Sequence, residues 1–264
     1  MRIRLLICLA VAGFAAGAAS AAGPTPGFAQ VGVTGPRGVV HYYATPLNGT
    51  TAVKAVRIRD GRVLRSAKLH GEFGVPMVAY DGTAGGLTRD GKLLVLESAA
   101  GPRVTTFKVL AALSMKVRQT FTLRGTWGFD AISPDGGTVY LTQILPSTGV
   151  LRYVVRAYDL GLRQLVKGAI ADKSEPGAMA GFPVSRAATA DGAWAYTLYS
   201  RPDAQPFIHA LDTVHRVAIC LDLDWPGDPN NMGNVRLTLS ADEQQLVIRR
   251  LADGKALLTI PAPH

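Results

Sequence analysis

The sequence predicts an all-β fold, a propeller of about five four-stranded blades, and three features carry that prediction. One turn is written four times, in "GLTRDGKLLVLES" (86–98), "AISPDGGTVYLTQ" (131–143), "AATADGAWAYTLYS" (187–200) and "LTLSADEQQLVIRR" (237–250). Its aspartates, Asp90, Asp135, Asp191 and Asp242, stand 45, 56 and 51 residues apart. Each unit holds material for four short strands, and an internal period of about 50 residues in an all-β chain is a propeller signature. No long stretch shows a period of 3.6, while Gly and Pro punctuate the chain throughout.

The elements follow in chain order. Arg2 and Arg4, the apolar run "LLICLAVAGFAAGAA" and the small residues Ala19-Ser20-Ala21 predict a secretory signal peptide over 1–21. Cleavage is expected before Ala22, leaving 22–264 as a single domain with an extracytoplasmic location. "GVVHYYATPL" and "TAVKAVRIRDGRVLRSAKL" read as three strands, the last two joined by an Asp60-Gly61 hairpin. In the repeat, a small hydroxyl (Thr88, Ser133, Thr189, Ser240) stands two residues before the Asp. Gly91, Gly136 and Gly192 follow it, with Glu243 as the exception. Asp and Gly suit a tight turn, and the runs after it are rich in β-formers. "LLVL" and "VYL" are apolar throughout, as strands packed on both faces must be. "KVRQTFTL" alternates Lys116, Arg118, Thr120 and Thr122 with Val117, Phe121 and Leu123, as on an outer strand. "QQLVIRRLADGKALLTI" closes the chain as a hairpin through Asp253-Gly254, so the last unit lacks an outer strand. "FAQVGV" near the N-terminus is expected to supply it and close the ring.

Composition excludes several classes. The net charge of +9 falls to +7 once Arg2 and Arg4 leave, and the remaining basic residues are scattered with no run of five. That pattern fits soluble outer strands rather than nucleic-acid binding. No later segment reaches the roughly 18 apolar residues of a membrane span, so no stable anchor is expected. Cys8 leaves with the signal, so Cys220 has no partner for a disulfide. Its setting, "RVAICLDL", predicts a buried small hydrophobe.

At this point the residues resemble a family. The "SPDG-x-x-x-Y" unit, with "YDL" (158–160) or "LDT" (211–213) on the following strand, resembles the YVTN and WD-repeat-like β-propellers of bacterial secreted proteins. The resemblance covers about residues 75–250. It implies a propeller that binds or scaffolds, enzymes being a minority in the family. The Trp-Asp dipeptide and the Gly-His opening of those repeats are absent, so no residue's role carries over.

Few residues suggest chemistry. His209 and His215 flank the turn at Asp212, where hairpin geometry brings them near each other, yet two ligands do not make a zinc site. "GTAGG" (82–86) runs into a strand and reads as a turn. Asp130 is the best inner-strand acid, and Arg186 occupies its register in the next blade; the pair is expected to bridge blades. A glycosidase needs two carboxylates, and no second acid repeats Asp130's place. "LDLDWPGDPNNMGN" (221–234) carries Asp222, Asp224, Asp228, Asn230, Asn231 and Asn234, hard oxygens of the kind calcium prefers. Their spacing fits no EF-hand and equally makes a plain polar loop, so calcium at 222–234 is an alternative to no cofactor.

That connector and "KGAIADKSEPGAMAGF" (167–182) are long, and with Trp127 and an exposed Trp225 they are expected to form a partner surface. The sequence therefore predicts a secreted, monomeric binding or scaffold protein for an exported protein or cell-envelope polymer, more binder than catalyst. The alternative is a saccharide-binding lectin or propeller-type hydrolase using the central channel.

Overall fold

The computed structural model describes residues 27–99, 101, 103–146, 152–174, 177–201 and 204–264. The predicted signal peptide lies outside them. All four repeated turns close alike. Thr88, Ser133, Thr189 and Ser240 each donate a hydroxyl hydrogen bond to the Asp two residues on, at 2.5–2.7 Å. Each then accepts the backbone N–H that opens the next strand, at Leu93, Thr138, Trp194 and Gln245. The third turn position lies in the left-handed region, at φ 71°, 69° and 80° for Gly91, Gly136 and Gly192. Glu243 adopts it too, at φ 61°. Its carboxylate accepts the Ala190 N–H of the preceding turn at 2.6 Å, a bond between sheets that glycine would lose.

Among the described residues twenty strands form five antiparallel sheets. The first runs β1 (Val33–Thr34), β2 (Val40–Leu47), β3 (Thr50–Arg57), β4 (Val63–His70). The second runs β5 (Phe73–Gly74), β6 (Leu93–Ser98), β7 (Val104–Ala111), β8 (Lys116–Arg124). The third comprises β9 (Trp127–Ile132), β10 (Thr138–Leu145), β11 (Arg152–Asp159) and β12 (Gln164–Leu165), with β13 (Met179–Ala180) also on β11. The fourth runs β14 (Phe182–Ala188), β15 (Trp194–Arg201), β16 (Ala204–Asp212), β17 (Val217–Asp222). The fifth has three strands, β18 (Val235–Leu239), β19 (Gln245–Arg250) and β20 (Ala256–Pro261), and so lacks an outer strand as expected. The one helical element among the described residues is a 3-10 turn at Pro36–Gly38.

The sheets pack face to face in chain order, which is how propeller blades share their cores. In β6, Leu94 and Leu96 face the first sheet while Val95 faces the third, all with no exposed surface. In β10, Val139 and Leu141 face the second sheet and Tyr140 the fourth. The fifth sheet packs on the fourth through Leu237, Leu246 and Ile248 against Tyr196 and Leu198. On β8, Phe121 is buried as its alternation required, but Val117 at the strand's outer end is exposed.

A second repeat is not visible in composition. Thr51, second residue of β3, donates to Gly71 O and accepts the N–H of Phe73 at 2.8 Å. Thr105, second residue of β7, donates to Gly125 O and accepts the N–H of Trp127 at 3.0 Å. Gln205, second residue of β16, accepts the N–H of Trp225 at 3.2 Å. Each ties the start of the following unit to the blade before it, satisfying donors that burial would otherwise strand.

The N-terminal segment departs from expectation. "FAQVGV" does not complete the fifth sheet. Phe28 bridges Pro76, Ala29 N–H donates to Val75 O, and Val33–Thr34 becomes the inner strand of the first sheet. The first sheet offered an inner position to fill, and Ala29 seats among apolar residues shared with the second sheet.

Candidate functional site

The inner strands of the first, third and fourth sheets, with the segment that precedes β6 in the second, surround a cavity of about 350 Å³. Its wall is made of the later residues of β9 and β14, the segment 83–89 and the edge of β1, so it lies toward the end of the ring bearing the repeated turns. The other end is filled by the chain itself. After β5 the backbone leaves the second sheet. Tyr80 and Asp81 donate their N–H groups to Pro183 O and Val184 O at the start of β14. Ser185 locks the crossing, donating to Asp81 Oδ2 at 2.6 Å and accepting the N–H of Leu237 at 2.9 Å. "GTAGG" thus does more than turn: Thr83, Ala84, Gly85 and Gly86 floor the cavity. Gly85 is required there, since a Cβ would come within 2.7 Å of Val78 and 2.8 Å of Phe129.

Charge enters the cavity at three lining residues, Arg89, Asp130 and Arg186. Asp130 is the extra residue of a bulge, with Ala131 opposite Tyr140 and Phe129 opposite Leu141. A bulge re-aims a side chain and recurs beside binding sites. Arg186 Nη1 donates to Asp130 Oδ1 and, at 2.9 Å, to Thr197 Oγ1. Both side chains are buried, 7 % and 5 % exposed for Arg186 and Asp130, so the expected blade-to-blade pair forms. Asp130 Oδ2 accepts no hydrogen bond. Behind it Tyr153 OH and both ring nitrogens of His209 are also buried without partners. Burial holds His209 neutral, lowering its pKa to about 4 despite the nearby Asp130.

Glu97, missed in the sequence because it sits in an apolar strand, is buried where the second and third sheets meet and accepts the Phe129 N–H at 2.8 Å. Burial raises its pKa to about 8, against the lowering effect of that hydrogen bond. Arg89 rises at the cavity's rim, and Gly192 of the fourth sheet's turn lies close against its side chain. The residue is exposed, yet partial desolvation against the wall, and then the neighbouring Arg186 charge, lower its pKa.

The remaining predicted residues lie elsewhere. Trp225 is not exposed: it is 8 % accessible and packs in the core between the fourth and fifth sheets. Its connector folds back on the barely polar space above Met232 and Val235, which an indole fills better than water does. Trp127 is also buried, its indole N–H donating to Arg124 O at 2.8 Å. Asp224, Asp228, Asn230 and Asn231 are exposed. Asp228 is engaged in its own turn, accepting the Asn230 N–H at 2.9 Å, and Asp222 pairs with Arg201 at 2.6 Å. Among the described residues no three His, Cys, Asp or Glu side chains come together as a metal site. Both long connectors precede inner strands and so lie at the end of the ring opposite the cavity. His209 and His215 do not meet, because His215 turns outward to Asp212 at 2.7 Å. Cys220 is half-buried rather than buried.

No protein-family model matches the sequence, and no curated protein matches it. Solved structures do. Hydrazine synthase of Kuenenia stuttgartiensis superposes with a TM-score of 0.54 at 14% identity, over 87% of this chain and 70% of that one. TolB from Acinetobacter baumannii gives a TM-score of 0.48 at 15% identity, over 87% and 53%. The Dos1 propeller gives 0.46 at 11%, over 86% and 56%. This chain thus spans about half the length of the latter two. At 14% identity the first of these likenesses speaks for the fold alone, and the antiparallel sheets packed in chain order make that fold a β-propeller. No helix among the described residues is long and apolar enough to cross a membrane.

Proposed function

We propose that this protein is an exported five-bladed propeller, akin to the YVTN type, that binds its ligand in the central cavity and does no chemistry on it. The carrying observation is the cavity itself: about 350 Å³, within the range of small-molecule sites, with polar and apolar surface in nearly equal measure on its wall. The export half of the reading is supported by the basic, apolar and small-residue pattern of residues 1–21. The partner that presents the ligand is an exported protein or a cell-envelope polymer, docking on the face that carries the repeated turns rather than on the long connectors. Hydrolysis of a glycoside in the same cavity is less well supported. That reaction takes two carboxylates, and the wall supplies Asp130 alone.

Filling the cavity tests the reading. Ala188, half-buried on the wall, replaced by Phe should abolish capture of envelope-fraction components by the purified protein while leaving its melting temperature in place. Thr34→Trp, entering from the first sheet, is an independent second block. A captured component that binds wild type and both filled variants alike would refute the cavity as the site. Recovery of that component chemically altered would refute binding without catalysis.

A further inference from the structure

The charges of the cavity do not balance, and the imbalance has a chemistry. Its wall carries two guanidinium groups and one carboxylate. Arg186 is satisfied by Asp130 and Thr197. Arg89 is left over. The acids that attract it from outside the wall, Asp191 and Glu243, form no ion pair with it among the described residues, and both are already engaged. Asp191 accepts from Thr189 at 2.7 Å and from Ala193 N–H at 2.8 Å; Glu243 accepts from Ala190 N–H at 2.6 Å. Arg89 therefore stands exposed at the rim of a concave, open-mouthed space beside a second arginine, with no ion-pair partner among the described residues and within reach of an anion from solvent.

Resting on the reading of the cavity as the binding site, we infer that the ligand is a small organic monocarboxylate whose carboxylate is clamped by Arg89. The guanidinium fork matches the planar carboxylate, taking both oxygens with two N–H groups. One uncompensated positive charge calls for one negative charge; a phosphate, nearly doubly charged at neutral pH, would overshoot and be repelled by Asp130. Phe129, Ile132 and Trp194 offer the apolar wall for the rest of the molecule.

Two matched pairs of probes test this by calorimetry on the exported chain: galacturonate with galactose, and alanyl-alanine with its C-terminal amide. The expected result is that at least one acid binds, about tenfold or more tighter than its uncharged partner. Which acid binds tells a sugar acid from a peptide terminus. Arg89→Gln should remove that preference, and Arg89→Lys should keep part of it. Equal binding of acid and neutral partner, lost in Ala188→Phe, would overturn the carboxylate assignment and leave the cavity standing as the site. Binding of neither acid at millimolar concentration, or an acid preference unchanged in Arg89→Gln, would also overturn it.

Discussion

Glu97 and His209 are titratable groups that folding strips of solvent without giving them a charged partner, and they pull stability in opposite directions. For Glu97 the folded pKa of about 8 lies above the unfolded value near 4.3. Between those values the unfolded chain has released a proton that the folded chain keeps, so stability falls as pH rises through that window. For His209 the folded value of about 4 lies below the unfolded value near 6.5, so stability falls on acidification from about pH 6.5 toward 4. Glu97→Gln keeps the shape and an acceptor for the Phe129 N–H but has no proton to lose. Relative to wild type it should gain stability steadily from about pH 5 to about pH 8 in denaturant titrations. Wild-type and variant curves that stay parallel over that range would show that Glu97 is not held neutral.

At the scale of elements, the blades are joined by devices placed at fixed positions in the strands. Thr105 is such a joint: it is fully buried, donates to Gly125 and accepts from Trp127. Thr105→Val keeps the volume while leaving the Trp127 N–H unmet, which should lower unfolding free energy by about 1–3 kcal/mol. A loss below about 0.5 kcal/mol would mean the N–H finds another acceptor. Trp225 belongs to the same scale, since its indole pins the 223–234 connector onto the fifth sheet. Trp225→Ala should cost about 3–5 kcal/mol, read as a large fall in melting temperature. An unchanged melting temperature would return Trp225 to the surface where its loop-like surroundings had placed it. The aspartate turns were legible in the sequence because their chemistry is local, three residues in a row. The Thr105 joint was not, because its partners stand 20 and 22 residues away and nothing nearby in the chain marks them. Trp225 misled for a related reason: Pro, Gly, Asp and Asn around it describe the backbone's path and say nothing about where one indole points.

Over the whole molecule, the repeat made the all-β architecture and the three-stranded last sheet readable, because a period of that size leaves few other ways to bury apolar strands. Asp130 and Arg186 were readable as a pair for the same reason, sharing one register in successive units. The cavity they line was not, since its floor is a departure from the repeat. Residues 75–86 are spent between β5 and β6 on a path no other unit takes, and Arg89 acquires its place only because that path ends at the rim. That crossing also bears on how the molecule comes apart. In an array where each unit touches only its neighbours, stability is close to a sum of local terms, and units can melt one at a time from an end. Here Asp81 is held by Ser185, 104 residues further along the chain, and Ser185 in turn holds Leu237 of the fifth sheet. The second, fourth and fifth sheets are thus fastened through one hydroxyl, so neither end of the chain can fray alone far inward. Loss of that fastening removes the floor of the cavity at the same moment, so the cavity opens as the molecule does.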